Sequence, residues 1–519
     1  MGASGIHCYD CTWSLPLGDQ GHDARPAHRP CPGAGRQTGD PSAPHPRQDD
    51  AMTVDLSRWQ FALTTLIHYS VVAASIGLTF LVAVMQWRWH RTGDETWLRL
   101  TKYYARAMVV CFGVGVVTGI LQTFQFGMNW SGFSTYAGDI FGAPLALEGL
   151  AAFFVESVFL GLWIFGWGRL GRRTHLACIW IVAAATVISA WAILSANTWM
   201  QGPRGYEIVD GRAELTDVAS VFLNVDVALT VSHVVLTALL TGSVIVLAIA
   251  ALNLRRGRET AAFTKVATLA CTVGLLAGSL GLVAGHFQGV RAVERQPMKM
   301  AAAEALYETA SPAPFSLFAV GRLHKDPGEP FFNVELPGGL SLINDLSLSS
   351  TFQGIDDLQR QYEAEYGPGD YTPIVPLMYW SFRLMVGAGS VLVLLMGFGL
   401  WTIRRGRLAT SPRFLKVATV AVALPFVAQV GGWLLREGGR QPWIIQGLLK
   451  TEDAGSTVGA GAVAFSLVVF LGIYLVTVAV AGRGLRRELA AGLPEPESDR
   501  PAEPDRNAST STGSLALTY

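Results

Sequence analysis

Six ionisable side chains interrupt the long apolar runs of this sequence. They are His68, Glu148, Glu156, His233, Arg383 and Glu437. An ionisable group inside an apolar helix is costly, and such groups usually mark a functional site. A lone histidine there commonly makes only a hydrogen bond to a neighbouring helix, whereas polar groups carried by several helices are not explained by packing. The six positions therefore predict a buried site with chemistry of its own.

The residue types at these positions suit the ligation of heme iron, for which histidine, methionine and some oxygen ligands are used. Met385 lies two residues after Arg383, at a depth similar to that of His233. A His/Met pair gives a six-coordinate, low-spin heme that transfers electrons. Arg383 could pair with a propionate of that heme. We therefore interpret His233 and Met385 as candidate ligands of one heme.

A second polar segment surrounds Glu437. It continues as Gly-Gly-Arg-Gln-Pro-Trp over 438–443, a turn at the end of an apolar run. The cation of this turn, Arg440, suits a heme propionate because arginine binds carboxylates well. Trp433 lies one helical turn before Glu437, on the same face. The segment therefore predicts a turn that contacts heme.

The number of histidines excludes two other classes of heme protein. Beyond the first fifty residues the histidines are His68, His90, His175, His233, His286 and His324. Only two or three of them fall inside apolar runs, which is too few for a heme–copper oxidase. The spacing also lacks the two histidine pairs of a cytochrome b of the bc type.

These side chains need long helices to hold them. A membrane-spanning helix needs about 20 mostly apolar residues. Nine runs qualify, over about 61–85, 104–125, 145–168, 176–198, 220–252, 264–285, 380–403, 414–435 and 458–481. The sequence therefore predicts an all-α integral membrane protein, a bundle of about nine transmembrane helices.

Lysine and arginine alternate between the connections of this bundle. The connections after the first, third, fifth and seventh runs are basic, and 126–144 contains neither residue. The positive-inside rule then predicts the N-terminus outside and the C-terminus in the cytoplasm. Five of the six ionisable groups come to lie near the outer face. The sixth, Glu156, lies about 12 Å deeper than Glu148 and about 80° around a straight helix.

The terminal segments differ in composition from the rest. Residues 1–51 are rich in Pro, Gly, Asp, Arg and His, so we predict a disordered N-terminal extension, with Met52 as an alternative start. We predict transmembrane helices 1–6 over 52–286, an extracytoplasmic loop over 287–379, helices 7–9 over 380–485, and a mostly disordered cytoplasmic tail over 486–519. A connection as long as 287–379 is uncommon and indicates function.

Composition agrees with a membrane protein. The 519 residues are 50% hydrophobic and 15% charged, against about 25% charged in soluble proteins. The 39 basic and 39 acidic residues balance, which argues against a nucleic-acid partner. Three of the six cysteines lie near the N-terminus, two of them as Cys8-x-x-Cys11, and the others occur singly in apolar runs. We therefore predict no disulfide framework and no zinc site in the body of the chain.

Several long motifs follow one another in a specific order. They are Ser57-Arg58-Trp59-Gln60-Phe61-Ala62 leading to His68, Phe124-Gln125-Phe126-Gly127-x-Asn129-Trp130, Gly138-Asp139-Ile140-Phe141-Gly142-Ala143-Pro144-Leu145-Ala146, Glu148-Gly149-Leu150, Phe382-Arg383-Leu384-Met385 and Gly439-Arg440-Gln441-Pro442-Trp443. In this order they resemble subunit I of cytochrome bd-type quinol oxidases. The resemblance covers about 52–485, and the outer loop looks like the short type.

The resemblance implies a role for each candidate heme residue. His233 and Met385 would ligate the low-spin heme b, with Arg383 tuning it. His68 and Glu437 would be the axial ligands of a high-spin heme b and of heme d, in either order.

The resemblance also implies residues for protons and quinol. Glu148 would lie beside the heme pair and Glu156 on the proton route, which Ser157 and Ser189 could extend. Lys299 and Glu304 match quinol-binding positions of the outer loop. Their spacing puts them about 140° apart on a straight helix, so they need a bend or different parts of the ligand.

The function implied is that of the heme-bearing subunit of a terminal quinol oxidase. Such a subunit would oxidise quinol at the outer face and reduce O2 to water with cytoplasmic protons, generating a membrane potential without proton pumping. The cofactors implied are two b-type hemes, one low-spin and one high-spin, and heme d. The partners implied are subunit II, menaquinol or ubiquinol, O2 and the lipid of a bacterial cell membrane.

A heme-free secondary transporter is the alternative reading of polar residues inside nine spans. Transporters often contain internal repeats, and this sequence shows none. A pyridine-hemochrome spectrum of the purified protein separates the two.

Overall fold

The computed structural model describes residues 48–321, 323 and 330–495. Most of the predicted N-terminal extension, with the Cys8-x-x-Cys11 motif, lies outside the described residues. So do His324 and most of the predicted C-terminal tail.

The described chain is built almost entirely from helices. The α-helices are α1 (Gln48–Thr92), α2 (Glu95–Met128), α3 (Ser131–Ala146), α4 (Phe153–Phe165), α5 (Arg172–Gln201), α6 (Val218–Phe222), α7 (Val225–Arg255), α8 (Thr260–Arg295), α9 (Pro297–Glu304), α10 (Gly339–Asp345), α11 (Ile355–Tyr366), α12 (Val375–Arg404), α13 (Pro412–Val420), α14 (Leu424–Gly438) and α15 (Ala460–Ala490). A π-helix covers Leu147–Ala152, and short 3-10 helices cover Ala421–Ala423 and Thr451–Asp453.

Six short strands form three antiparallel pairs outside the helical bundle. They are β1 (Tyr206–Val209) with β2 (Arg212–Leu215), β3 (Phe315–Gly321) with β4 (Pro330–Leu336), and β5 (Trp443–Ile445) with β6 (Leu449–Lys450). In the second pair Phe315 lies opposite Leu336 and Gly321 opposite Pro330.

The prediction of nine spans is confirmed. Among the described residues, the helical stretches long and apolar enough to cross a membrane are Ala51–Thr92, Glu95–Met128, Ser131–Phe165, Arg172–Gln201, Val218–Arg255, Thr260–Arg295, Val375–Arg404, Pro412–Gly438 and Ala460–Ala490. We refer to them as spans 1 to 9. The predicted all-α membrane fold is therefore correct.

The third span begins earlier than the sequence indicated. We predicted a loop over 126–144, but α3 occupies Ser131–Ala146 and continues through the π-helix into α4. This stretch contains several glycines and Pro144, which are unfavourable in a helix interior. Proline kinks a helix because it lacks an N–H and clashes with the preceding turn. Here the π-helix begins three residues after Pro144, at Leu147, and the helical path continues.

Spans 1 and 5 approach each other closely through glycine. A Cβ at Gly77 would collide with the backbone of Ala238, and one at Gly242 would collide with Gly77 itself. Membrane helices pack tightly where small residues let their backbones meet. This contact sets the distance between the helices that carry His68 and His233.

The end of span 9 lies against span 2. Tyr103 on α2 donates to the Leu489 carbonyl at 3.1 Å, and Arg99 donates to the Pro494 carbonyl at 2.6 Å. Leu485, Leu489 and Leu493 pack on the largest hydrophobic cluster. The chain past the last span is therefore part of the packed bundle up to this point.

Candidate heme and quinol sites

His68 on span 1 is oriented by span 2. Its Nδ1 lies 2.9 Å from Thr118 Oγ1, and that hydroxyl donates to the Val114 carbonyl at 2.8 Å. Because the hydroxyl hydrogen is used there, Nδ1 must be the donor to Thr118. The ring is then the tautomer whose Nε2 carries a lone pair, which is the form that binds metal. A Cβ at Gly119 would lie 3.0 Å from His68 Cε1, so glycine leaves room for the ring.

His233 on span 5 is held in the same tautomer. Its Nδ1 lies 2.9 Å from the Gly281 carbonyl, which can only accept. Nδ1 is therefore protonated, and Nε2 is the lone-pair nitrogen. Gly285, one turn along α8, lies against this ring, since a Cβ there would be 3.0 Å from His233 Cε1.

His175 shows what a structural histidine looks like in the same bundle. Its Nε2 lies 2.8 Å from the Trp163 carbonyl, and its Nδ1 lies 2.8 Å from Gln86 Nε2. The Gln86 carbonyl oxygen in turn accepts from Trp163 Nε1 at 2.6 Å. Both ring nitrogens are used, so this histidine has no lone pair left for a metal. The contrast supports His68 and His233 as the ligand candidates.

Met385 on span 7 faces span 8. A Cβ at Gly432 would lie 3.0 Å from Met385 Sδ, so this glycine makes room for the thioether. The next residue, Trp433, stacks on Tyr69 of span 1 with ring centroids 5.4 Å apart and an interplanar angle of 26°. The Gly432-Trp433 pair therefore lies between Met385 and the residue that follows His68.

Glu437 is surrounded by hydrogen-bond donors. Oε1 accepts from Asn197 Nδ2 at 2.9 Å and from Gln201 Nε2 at 3.2 Å, and Oε2 lies 2.5 Å from Arg440 Nη2. A carboxylate offers about four acceptor positions, so three donors leave capacity for a metal. Asn197 also accepts from Arg436 Nε at 2.5 Å.

The buried guanidinium of Arg440 has N–H donors that no described residue accepts. Only 4% of its side chain is exposed, and Nε and Nη1 have no hydrogen-bond partner within the described ranges. A buried charged donor without a partner is strongly unfavourable. A heme propionate would satisfy it, so the orphaned N–H groups fit a heme whose acidic edge lies here.

Arg383 and Glu304 form a buried ion pair between span 7 and helix α9. Arg383 Nη2 lies 2.7 Å from Glu304 Oε2, and only 1% of the Glu304 side chain is exposed. The arginine also bonds to the Ala303 and Ser316 carbonyls. Glu304 Oε1 has no partner among the residues described. Burial raises the pKa of Glu304 to about 7, although the positive charge of Arg383 opposes this.

Lys299 lies on the same short helix but faces a different group. Its Nζ donates to Gln201 Oε1 at 2.5 Å, and Gln201 bonds in turn to Glu437. Burial, with the positive charges of Arg436 and Arg440, holds the pKa of Lys299 well below its ordinary value. Both Lys299 and Glu304 are buried because α9 is enclosed on most sides. Helix α9 therefore connects the Glu437 region with the Arg383 region.

Comparison with known proteins identifies the family of the chain. The family described as cytochrome bd terminal oxidase subunit I matches residues 56–493. The chain belongs to this family. Family membership confirms the resemblance, the oxidoreductase class and the location as a multi-pass protein of the bacterial plasma membrane.

Two curated relatives and one solved structure are similar to the chain over most of its length. Cytochrome bd ubiquinol oxidase subunit 1 of Bacillus subtilis (strain 168) is 42% identical over 442 residues, or 84% of this chain and 93% of that protein. Cytochrome bd-II ubiquinol oxidase subunit 1 of Escherichia coli (strain K12) is 33% identical over 87% of this chain and 99% of that protein. The structure of bd oxidase from Geobacillus thermodenitrificans matches with a TM-score of 0.79 and 28% identity, over 86% of this chain and 100% of that chain.

The two carboxylates of the third span of this subunit I chain are separated by the π-helix. Glu148 lies in the π-helix and accepts from Ser189 Oγ at 3.1 Å, and Glu156 follows in α4 and is buried. A π-bulge adds one residue to a turn, so a spacing of eight acts like seven. The two carboxylates are then about 20° apart around the helix axis, compared with about 80° on a straight α-helix. Ser157 Oγ is buried with no partner in the described chain.

Sequence reasoning missed the residues that support the candidate ligands. They are Thr118, Tyr69, Asn197, Gln201 and Arg436. Asn197 and Gln201 could have been found, because they lie four residues apart on one face near the end of an apolar run. The described residues contain no group of three or more His, Cys, Asp or Glu able to share a metal. That suits single axial ligands contributed by separate helices.

Proposed function

We propose that this subunit carries two b-type hemes and heme d and uses them to oxidise membrane quinol and reduce O2 to water. Membership of the family supports the terminal quinol oxidase role. The observation that carries the heme assignment is the matched state of His68 and His233, each with Nδ1–H donated to protein and Nε2 left to bind metal. When bound, the hemes supply the electron transfer and the chemistry of O2.

The chain's own residues divide into two ligand regions. His233 and Met385 would hold the low-spin heme b, and His68 and Glu437 would hold the high-spin heme b and heme d, in either order. Arg440 would pair with a propionate through its orphaned donors. Trp433, stacked on Tyr69 and adjacent to Gly432, lies between the two regions. This position supports a role for Trp433 in contacting the hemes.

Quinol would be oxidised where α9 meets span 7. Glu304 can accept a proton because its Oε1 has no partner within the described part of the chain and its pKa is about 7. Burial and the neighbouring cations lower the pKa of Lys299, which supports a part for Lys299 in moving the second proton. The curated relatives include one called a ubiquinol oxidase subunit and one called a putative menaquinol oxidase subunit, so the class we propose is a membrane quinol.

Protons for O2 would come from the opposite side. We place the N-terminus outside and the C-terminus in the cytoplasm, from the positive-inside rule. Glu156 then lies on the cytoplasmic side of Glu148, with Ser157 and Ser189 beside the pair. Taking up protons on one side and releasing quinol protons on the other builds a membrane potential without a pump. Subunit II would complete the enzyme.

A pyridine-hemochrome spectrum of the purified oxidase tests the assignment. We expect b-type heme and heme d in the wild type, and loss of one heme component in His68→Ala. A protein purified without any heme would be the result expected of a transporter and would overturn the proposal.

Replacing Lys299 or Glu304 with alanine is expected to slow quinol oxidation at least about 100-fold, the lower range for a lost proton acceptor. Oxidation of an artificial electron donor that bypasses the loop should stay near the wild-type rate. Glu308→Ala, an exposed carboxylate four residues past Glu304, is the matched control. Equal losses with both kinds of donor would place the defect in assembly.

The pH dependence of quinol oxidation should reflect Glu304. Its carboxylate accepts a proton only when ionised, and burial holds its pKa at about 7. The rate at limiting quinol should therefore rise between about pH 6 and pH 8. Glu304→Gln should flatten this rise, which steady-state rates across the range would show. A full rise in the variant would assign the titration to another group.

A further inference from the structure

We propose that Thr118 is the positioning residue for His68, and that Tyr474 of span 9 holds Thr118 in place. The inference rests on the proposed function, because it requires His68 to be a heme ligand. It concerns how the ring is fixed and how strongly its Nε2 binds iron.

The Thr118 hydroxyl can act towards His68 only as an acceptor. Its hydrogen is directed at the Val114 carbonyl, 2.8 Å away, with the Gly115 carbonyl at 3.1 Å. Thr118 is fully buried, so no water competes for its oxygen. The 2.9 Å contact with Nδ1 therefore selects one tautomer of His68.

The ring is also fixed in angle by its neighbours. Gly119 lies directly against it, and a Cβ there would come within 3.0 Å of Cε1. A 180° flip would turn a C–H towards the Thr118 oxygen and remove the Nδ1 hydrogen bond. An N–H left buried without a partner is unfavourable. The Thr118-Gly119 pair thus admits one orientation of the ligand.

Span 9 fixes the position of Thr118. Tyr474 is fully buried, and its hydroxyl donates to the Thr118 carbonyl at 2.5 Å. The carbonyl and the side chain of Thr118 are therefore held by different helices. A displacement of span 9 would therefore move Thr118 and, with it, the hydrogen-bond acceptor of His68.

The two histidines differ in the acceptor that holds them. His233 donates to a backbone carbonyl, whereas His68 donates to a neutral hydroxyl. Groups that accept from a ligand histidine raise its basicity, and their loss typically costs 10–100-fold in metal affinity or activity. At His68 this acceptor is a side chain, so a single substitution can remove it. At His233 the acceptor is a backbone carbonyl, which no substitution of Gly281 can remove.

The test compares Thr118→Val, which has nearly the same shape but no acceptor, with Thr118→Ser, which keeps the hydroxyl. In the purified two-subunit oxidase we expect Thr118→Val to raise the midpoint potential of the heme lost in His68→Ala and to weaken its retention about 10–100-fold. Its iron–histidine vibration in resonance Raman spectra should fall in frequency. Thr118→Ser should restore all three properties. The low-spin heme should be unaffected.

Two further variants keep the test decisive. Thr101→Val removes a buried threonine of the same helix whose hydroxyl donates to the Trp97 carbonyl, and it should leave potential and vibration unchanged. Tyr474→Phe should shift both in the direction of Thr118→Val, by less. This variant gives the answer if Thr118→Val does not assemble.

The possible outcomes distinguish failure of the positioning role from failure of the proposed heme-ligand function. Wild-type potential and vibration in Thr118→Val and Tyr474→Phe, with heme lost in His68→Ala, would overturn the positioning role and leave the ligand assignment standing. Lower thermal stability without a change in potential or vibration would also overturn it, because that is the behaviour of a packing contact. Retention of every heme in His68→Ala would overturn the ligand assignment and the inference with it.

Discussion

Replacing His233 with alanine is expected to remove the low-spin heme b absorption band from reduced membranes and to abolish quinol-driven reduction of the remaining hemes. The reason is geometric: the Gly281 carbonyl fixes Nδ1–H, so Nε2 is the only nitrogen able to bind iron. Met385→Leu should have the same effect on the band, because leucine is similar in size but offers no sulfur ligand. Difference spectra of membranes measure both.

The control for this experiment is a histidine on the neighbouring span 6. His286 lies one residue past Gly285 on α8 and is exposed, so His286→Ala should keep the full spectrum. The amount of the subunit in the membranes should be checked by immunoblot, because an absent protein would also remove the absorption band. If the low-spin band persisted in both His233→Ala and Met385→Leu, the ligands would have to be sought elsewhere.

Replacing Glu156 with glutamine is expected to stop turnover while the hemes and spans remain. Glutamine has nearly the same size and can still accept a hydrogen bond, but it cannot release and rebind a carboxylic proton. The π-helix brings Glu156 to the face that carries Glu148, so the two can share a proton route. Charge movement after oxygen is supplied to the reduced enzyme in vesicles should fall at least about 100-fold in rate.

The matched control is Glu294→Gln at the C-terminal end of span 6, where the carboxylate is more than half exposed and pairs with Arg291. That variant should behave like the wild type. A full-size electrogenic phase at the wild-type rate in Glu156→Gln would contradict the proton-transfer role. It would leave Glu156 only a packing contact between helices.

The spans and the candidate ligands were predictable because both follow from local sequence. Twenty apolar residues define a membrane helix, and a histidine or carboxylate inside one stands out by type alone. His68 and His233 could be identified from the sequence in this way. Their Nδ1 partners could not, because a threonine or a backbone carbonyl is indistinguishable in the sequence from many others nearby.

Other features were missed because they depend on tertiary structure. A helix rather than a loop runs through Pro144 and continues into a π-helix, and no residue type encodes that choice. The enclosure of α9 is a second case. Lys299 and Glu304 lie on different sides of this helix, and both are buried because separate elements cover each side. The sequence alone shows only their spacing.

The contacts of span 9 have a consequence for the order in which the subunit is made. Ser466 bonds to Gln60 at 3.0 Å, Tyr474 to the carbonyl of Thr118, and Leu489 accepts from Tyr103. The first two spans leave the ribosome early, yet the partners that fix them are synthesised last. The pocket around His68 is therefore finished only when the whole chain has been inserted. A truncated subunit would already contain His68 but would lack the contacts that hold its surroundings in place.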